Sequence, residues 1–183
     1  MAAIWESALI RDVILVDPES HGDERGLFSE TYRRAWFPMG REMVQGNRSD
    51  KAAGAVVGLH YHLHQADYWQ VTRGVARVIL HDLRRGSETD GATEDLEISG
   101  ENLRGVFIPP GVAHGFASLT DLTLTYLVDS YYNPADELGV AWDDPDIGAD
   151  WGITEPVLST RDRSNPRRAA IPEAVVPHIR LRL

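Results

Sequence analysis

Short runs of alternating apolar and polar residues, separated by turn-forming residues, recur along the whole chain. Such runs occupy residues 8–17, 27–32, 43–49, 54–63, 66–82 and 119–132, with shorter ones around 96–98 and 106–108. The pair Arg73-Gly74 divides the 66–82 run into two strands. Many short strands with a turn about every ten residues predict an all-β sandwich or barrel. Residues 33–40 and 172–177 are expected to form short helical turns.

One of these runs is rich in histidine. Residues 54–67 have the sequence GAVVGLHYHLHQAD, in which His60, His62 and His64 alternate with apolar residues. Because side chains alternate between the two faces of a strand, the three imidazoles are expected on one face and the apolar side chains on the other. A fourth histidine, His114, follows a turn rich in proline and glycine. The pattern predicts a small β-barrel whose cavity brings these histidines together.

Polar residues in two earlier runs are candidate ligand contacts. Gln45 and Asn47 fall on one face of a predicted strand, where amides make good hydrogen-bonding groups for a ligand. Arg25 and Glu30 flank an aromatic residue, Phe28, which suggests a polar pocket wall. Taken alone, the segment that holds these three residues is better explained as a solvated hairpin. Amides such as those of Gln45 and Asn47 also occur simply at solvent-facing positions.

Composition narrows the class of protein. The chain has 183 residues, 43% of them hydrophobic and 25% charged, which suits one globular domain. Its net charge of -10 argues against general nucleic-acid binding. With no cysteine, disulfides and thiolate metal sites are excluded, which fits a cytoplasmic protein. The sequence predicts neither a membrane span nor a signal peptide.

The histidine spacing also favours a metal site. The pattern of residues 54–74 resembles the first motif of the cupin superfamily, with Asp67 in the place of the usual Glu. The second cupin motif resembles the segment that ends at His114. A set of His60, His62, Asp67 and His114 would suit Fe, Mn, Ni or Zn. Metal-free cupins keep some of these histidines for other work, so a divalent transition metal and no cofactor both stay open.

The wider pattern resembles the dTDP-4-dehydrorhamnose 3,5-epimerase (RmlC-like) family, a metal-free branch of the cupins. The motifs that carry the resemblance are DERGLFSE at 23–30, QGNRS at 45–49, GLHY at 58–61, IPPGVAHGF at 108–116, WDDP at 142–145 and LSTRD at 158–162. The resemblance implies a double-stranded β-helix, or jelly roll, with a few short helices. It further implies a single RmlC-like domain over 1–183, with a core of about 8–162 and a C-terminal extension of 163–183, in a homodimer.

The resemblance also implies a reaction and its residues. The family inverts C3, and usually C5, of a dTDP-4-keto-6-deoxyhexose by removing and returning a proton. In this chain His60 matches the general base, Asp162 its partner, and Tyr126 the acid on the opposite face. The other positions that match ligand contacts or line the pocket are Arg25, Phe28, Glu30, Gln45, Asn47, His114, Tyr132, Glu137 and Arg161. Glu30 is expected to come from the neighbouring subunit, and no cofactor is implied.

Three departures separate this chain from the family pattern. Val57 stands where the family usually has a nucleotide-holding Arg, His62 where it has Gln, and Asp67 where it has a Lys that stabilises the enolate oxygen. An Asp there has the wrong sign, since it opposes developing negative charge. Either a metal replaces the Lys, or Asp67 faces away and an arginine such as Arg48 serves the oxyanion.

These departures leave three functions open. The leading hypothesis is the epimerase, with His60 as a free base. The first alternative is a metal-dependent cupin enzyme that acts on another small molecule, in which a metal on His60 would prevent the base role. The second is a non-catalytic sugar-nucleotide binding homologue that retains Arg25 and the amides of Gln45 and Asn47.

Overall fold

Strands form most of the regular structure in the computed structural model, which describes residues 1–37 and 41–179. The strands in chain order are β1 (Ala3–Glu6), β2 (Ile14–Asp17), β3 (Ser20–Asp23), β4 (Gly26–Ser29), β5 (Gln45–Lys51), β6 (Val56–Tyr61), β7 (Asp67–Arg73), β8 (Val75–Asp82), β9 (Thr93–Ser99), β10 (Gly105–Ile108), β11 (Val112–Ser118), β12 (Leu122–Val128) and β13 (Leu138–Gly139). The described helical segments are short, namely α1 (Thr160–Arg163) and 3-10 turns at Arg34–Trp36, Arg168–Ala170 and Glu173–Val175.

The strands form two sheets and one hairpin. The first sheet has the order β1-β2-β10-β7-β12-β5, and the second has the order β13-β6-β11-β8-β9. The strands named above pair antiparallel, and successive strands alternate between the sheets from β5 to β8 and from β10 to β12. This interleaved order is that of a double-stranded β-helix, so the predicted jelly roll is confirmed. Strands β3 and β4 pair only with each other, as a separate hairpin.

The core lies between the two sheets because apolar residues alternate along the strands. Val71 of β7 and Leu124 of β12 meet Leu80 of β8 and Val112 of β11 in one buried cluster. Burying each such side chain contributes about 1.5–3 kcal/mol. One end of the space between the sheets is lined by histidines instead of aliphatic residues, and this end holds the candidate site.

One predicted strand is shorter than the apolar pattern suggested. The 8–17 run forms a strand only from Ile14, because Ser7 Oγ accepts the amides of Leu9 and Ile10 and turns the chain. The predicted helical turn at 33–40 is confirmed at Arg34–Trp36, and its residues 38–40 lie outside the described residues. No helix in the described part of the chain is long and apolar enough to cross a membrane.

One buried histidine lies outside the candidate site. His81 of β8 is fully buried, and its Nδ1 is 2.8 Å from Thr93 Oγ1. The Thr93 hydroxyl donates to the Ile147 carbonyl, so Nδ1 must carry the proton that Thr93 accepts. Nε2 therefore holds a lone pair, and it has no hydrogen-bond partner among the described residues. Burial, with the positive charge of Arg168, lowers the pKa of His81 to about 4.

We expect His81 to make the protein acid-sensitive. Between pH 6.5, the ordinary pKa, and about 4, the unfolded chain binds a proton at His81 that the folded chain excludes. The free energy of unfolding should therefore decrease as the pH falls through this window, by on the order of 3 kcal/mol from His81 alone. The variant His81→Asn keeps a donor for Thr93 but cannot titrate. Urea unfolding from pH 7 to pH 4 should show a shallower loss for His81→Asn, and parallel curves would contradict this assignment.

Candidate active site

The site is centred on His60, whose imidazole faces the space between the sheets. His60 lies near the end of β6, directly opposite His114 of β11. Its Nε2 is 2.6 Å from Oδ1 of Asp162, which lies in α1, 102 residues further along the chain. With Nε2–H donated to Asp162, Nδ1 keeps the lone pair, and the described residues offer it no hydrogen bond. A basic imidazole nitrogen is thus free to take a proton.

The surroundings of Asp162 keep its carboxyl group ionised. Burial alone would raise its pKa, but hydrogen bonds from the His60 ring, the Ser159 side chain and the Gly58 amide, together with attraction to His60, hold the pKa of Asp162 below its usual range. Ser159 caps α1 by accepting the Asp162 amide at 3.1 Å, which fixes the position of this short helix. The carboxylate therefore orients the imidazole and stabilises the imidazolium that forms when His60 gains a proton.

Tyr126 is the candidate proton donor. It lies half-buried on β12, directly opposite Trp69 of β7 and Asn47 of β5. Burial raises the pKa of Tyr126, and the negative charges of Asp67 and Glu137 raise it further. The phenol is therefore protonated at neutral pH, as a group that returns a proton must be. Its hydroxyl has no hydrogen bond with the described residues, so it is available to a substrate.

A second group of ionisable side chains lies beside His60. This group consists of His62, Asp67 and His114, which are all buried. Each offers one possible ligand atom, and these three atoms lie within 4.8 Å of one another. Burial lowers the pKa of His114 to about 4, against the attraction of Asp67, so its imidazole is neutral at pH 7. Because His60 is bonded to Asp162 and lies outside this group, the predicted four-ligand set is only partly assembled. A metal on the other three residues would leave His60 free.

His64 was expected beside the other histidines, and this prediction is wrong. Strand β6 ends at Tyr61, and the chain turns because the Asp136 carboxylate accepts the Leu63 amide at 2.7 Å and the His64 amide at 3.1 Å. The His64 side chain is consequently exposed instead of lying on the face that carries His60. Alternation between faces holds only while the backbone stays extended.

Four other predicted residues form two hydrogen-bonded pairs, and a fifth, Tyr132, contacts one of these pairs. Gln45 Nε2 donates to Asn47 Oδ1 at 2.9 Å, and Gln45 Oε1 accepts the Tyr132 amide at 3.3 Å. Arg161 in α1 donates to Glu137 Oε2 at 3.0 Å. Glu137 Oε1 in turn lies 3.8 Å from His62 Nδ1. The arginine that precedes Asp162 is thereby held near the histidines.

Three predicted residues lie on or next to the β3–β4 hairpin and are exposed. Arg25 bonds to Asp23 within the hairpin, and Glu30 accepts from Arg33 at 2.9 Å. Phe28 is 70% exposed. Among the described contacts, none brings these side chains against His60 of the same chain.

The structure also decides two alternatives for the oxyanion. Arg48 lies on the exposed face of β5 and bonds to Asp50, with Nε 3.0 Å from Oδ2, so it does not serve the site. Asp67 does not face away, since its carboxylate is buried between His62 and His114. No arginine or lysine among the described residues forms an ion pair with Asp67.

Asp136, which the sequence did not indicate as a site residue, positions residues next to His60. Its carboxylate makes the turn after β6, and its carbonyl accepts His62 Nδ1 at 2.8 Å. The segment 133–136, Asn-Pro-Ala-Asp, is a turn signal, but nothing in it indicates a partner some 73 residues earlier.

The chain is similar in sequence and in fold to known epimerases. The profile of the dTDP-4-dehydrorhamnose 3,5-epimerase family matches residues 7–169. The dTDP-4-dehydrorhamnose 3,5-epimerase of Methanothermobacter thermautotrophicus is 39% identical over 160 residues, which cover 82% of this chain and 86% of the relative.

Two solved structures are similar over nearly the whole chain. The Legionella pneumophila dTDP-6-deoxy-D-glucose-3,5-epimerase, in complex with dTDP-4-keto-L-rhamnose, has a TM-score of 0.92 and 30% identity, covering 98% of this chain and 100% of the other. A 3'-monoepimerase from Streptomyces bikiniensis, in complex with dTDP-quinovose, has a TM-score of 0.85 and 34% identity, covering 91% and 89%.

Proposed function

The chain belongs to the dTDP-4-dehydrorhamnose 3,5-epimerase family, and from this premise we propose that it inverts C3, C5 or both of a dTDP-4-keto-6-deoxyhexose. The observation that carries the proposal is the 2.6 Å contact between His60 Nε2 and Asp162 Oδ1, with Tyr126 on the other sheet. A base and an acid on separate sheets suit a reaction in which a proton leaves one face of the sugar and returns to the other.

Each residue has a defined step in this mechanism. The ketone at C4 acidifies the hydrogens on C3 and C5, and His60 Nδ1 takes one of them as the enolate forms. Asp162 stabilises the resulting imidazolium by its charge and hydrogen bond. Tyr126 then gives its proton to the opposite face of the same carbon. The abstracted proton passes from His60 to solvent, and Tyr126 regains one, so the enzyme is restored.

The diphosphate and the sugar need binding groups of their own. Val57 carries no charge and packs against the core, so positive charge must come from elsewhere. We assign it to Arg161 and to Arg25, whose guanidinium groups can bond two phosphate oxygens at once. Gln45 and Asn47 supply amides on the wall beside Tyr132.

We assign the hairpin residues to the site of a partner subunit in a homodimer. Leu27 and Phe28 are 65% and 70% exposed on a hairpin whose two described strands pair only with each other. A second copy would cover this apolar surface and receive Arg25, Phe28 and Glu30. We further propose a single domain over residues 1–183, with a core of about 8–162 and a C-terminal extension of 163–183. The cytoplasmic location stays a prediction.

The proposed function is tested by exchange with solvent deuterium. The protein is incubated in D2O with a dTDP-4-keto-6-deoxyhexose, and NMR follows deuterium at C3 and C5 together with the configuration of the product. Deuterium at one or both carbons with inversion supports the epimerase. Binding of dTDP without any exchange would identify a non-catalytic binding protein, and it would overturn the proposal.

Replacing Asp162 by asparagine should lower kcat by about 10²-fold and leave KM nearly unchanged. The amide keeps the size of the side chain but cannot stabilise the imidazolium, and it favours the wrong tautomer of His60. The deuterium-exchange assay gives kcat and KM. Asp146→Asn is the matched control, since this exposed residue lies outside the site. An equal loss in both variants, or a change confined to KM, would contradict the role assigned to Asp162.

A further inference from the structure

We propose that His62, Asp67 and His114 bind one divalent first-row transition-metal ion, and that this ion supports the negative charge that develops on the sugar C4 oxygen. The binding site is inferred from the side chains themselves. Its catalytic role rests on the proposed function. Three protein ligands leave coordination positions open for water or a substrate oxygen, as in catalytic metal sites.

The spacing of the three ligands fits a shared ion. His62 Nε2 lies 3.9 Å from Asp67 Oδ1, and His114 Nε2 lies 3.9 Å from Asp67 Oδ2. With metal–ligand bonds of about 2.0–2.2 Å, two atoms on one ion are about 3–4 Å apart. The same distances are too long for direct hydrogen bonds between imidazole and carboxylate. Each imidazole therefore lies at a distance from Asp67 that a shared ion allows, and the three ligand atoms all lie within 4.8 Å of one another.

The hydrogen bonds of the two imidazoles leave Nε2 of each ring near Asp67. His62 Nδ1 is 2.8 Å from the Asp136 carbonyl, and His114 Nδ1 is 2.9 Å from the Val112 carbonyl. A carbonyl can only accept, so each Nδ1 carries a proton, and Nε2 is the ring atom left to bind a metal. Carbonyl partners behind the ring are the usual support of metal-binding histidines, because they fix the tautomer and orientation.

The carboxylate of Asp67 is held in the same way. Gln65 Nε2 donates to its Oδ1 at 2.8 Å, and Trp69 Nε1 donates to its Oδ2 at 3.0 Å. These bonds leave lone pairs on both oxygens that face the imidazoles. Gln65 Nε2 also lies 3.3 Å from His62 Nε2, so one amide is shared between two acceptors. His114 Nε2 receives no donor from the described residues.

The buried negative charge of Asp67 also favours a bound cation. Asp67 is 3% exposed, and neither lysine nor arginine among the described residues pairs with it. A buried carboxylate is costly without a compensating positive charge. A dication at this point supplies that charge and satisfies three lone pairs together.

The location connects the ion to the reaction. His114 lies directly opposite His60, and the charge of Asp67 reaches Tyr126. The ion would thus lie between the proposed base and the proposed acid. A carboxylate alone would oppose the enolate, whereas a metal ion held by that carboxylate would stabilise an oxyanion as a Lewis acid. His60 is not a ligand of the proposed ion, since its Nε2 is hydrogen-bonded to Asp162.

The test measures binding first. The purified full-length protein is stripped with a chelator and dialysed against Zn²⁺, and against Co²⁺ as a visible-absorption probe. We expect about one ion per chain and tetrahedral or five-coordinate cobalt bands. His62→Gln and Asp67→Asn should each weaken binding at least about tenfold. His64→Gln, an exposed histidine two residues away, is the matched control and should bind like the wild type. Circular dichroism confirms that each variant folds.

The outcomes separate this inference from the proposed function. A wild-type protein that binds no stoichiometric ion, or folded variants that bind as tightly as the His64→Gln control, would overturn the metal site. Deuterium exchange at C3 and C5 by the ion-free protein at the full rate would overturn the catalytic role alone. Stoichiometric binding without exchange in the loaded protein would overturn the proposed epimerase together with the ion's role in it, while the metal site would stand.

Discussion

Glutamine in place of His60 is expected to reduce both deuterium exchange and product formation by about 10²–10⁴-fold, the range for losing a general base. Glutamine fills a similar volume and can still donate to Asp162, so it keeps the link between β6 and α1. It has no nitrogen that accepts a proton at neutral pH. The rate of exchange at C3 and C5 measures the step that His60 is assigned, and KM for the dTDP-sugar should change little.

The position of His60 allows a control of the same chemistry. His64→Gln makes the identical substitution four residues later, on an exposed side chain outside the site, and it should leave the exchange rate within about twofold of the wild type. Urea unfolding should give similar stabilities for the two variants. If His60→Gln retained most of its exchange activity, the base would have to be another group, and the pair of His60 and Asp162 would be structural.

The sequence predicted the strands of this fold well where alternation continues through a paired strand. Along β5, Gln45 and Asn47 alternate with exposed residues as expected, because the strand pairs with β12 over its whole length. The prediction failed at His64, where a carboxylate from residue 136 bends the chain. A contact between residues 72 apart leaves no trace in a local pattern.

The candidate site likewise depends on long-range contacts that a local sequence pattern does not reveal. The pairing of His60 with Asp162 spans 102 residues, and only the family resemblance indicated it before the structure. The resemblance could not divide four metal-ligand candidates into the proposed base and the three proposed ligands. That division depends on where α1 places Asp162, and on the two carbonyls that turn His62 and His114 toward Asp67.

The substitution Tyr126→Phe should separate proton removal from proton return. His60 still takes the proton, so deuterium exchange is expected within about tenfold of the wild-type rate. Formation of the inverted product should fall by about 10²–10³-fold, because phenylalanine has no proton to give to the opposite face. NMR of one reaction in D2O reports both quantities. The hydroxyl has no hydrogen bond with the described residues, so its loss should change stability by under about 1 kcal/mol.

Tyr32→Phe provides the matched control for this variant. The Tyr32 hydroxyl is also without a partner in the described structure, but its ring packs against Phe37 and Tyr68, in a different apolar cluster from Tyr126. Its substitution should leave both exchange and inversion intact. Parallel losses of exchange and inversion in Tyr126→Phe would show that Tyr126 acts in the first step, by binding substrate or supporting the enolate. Unchanged inversion would show that the proton returns from solvent. Tyr126 would then not be the acid that acts opposite the base His60.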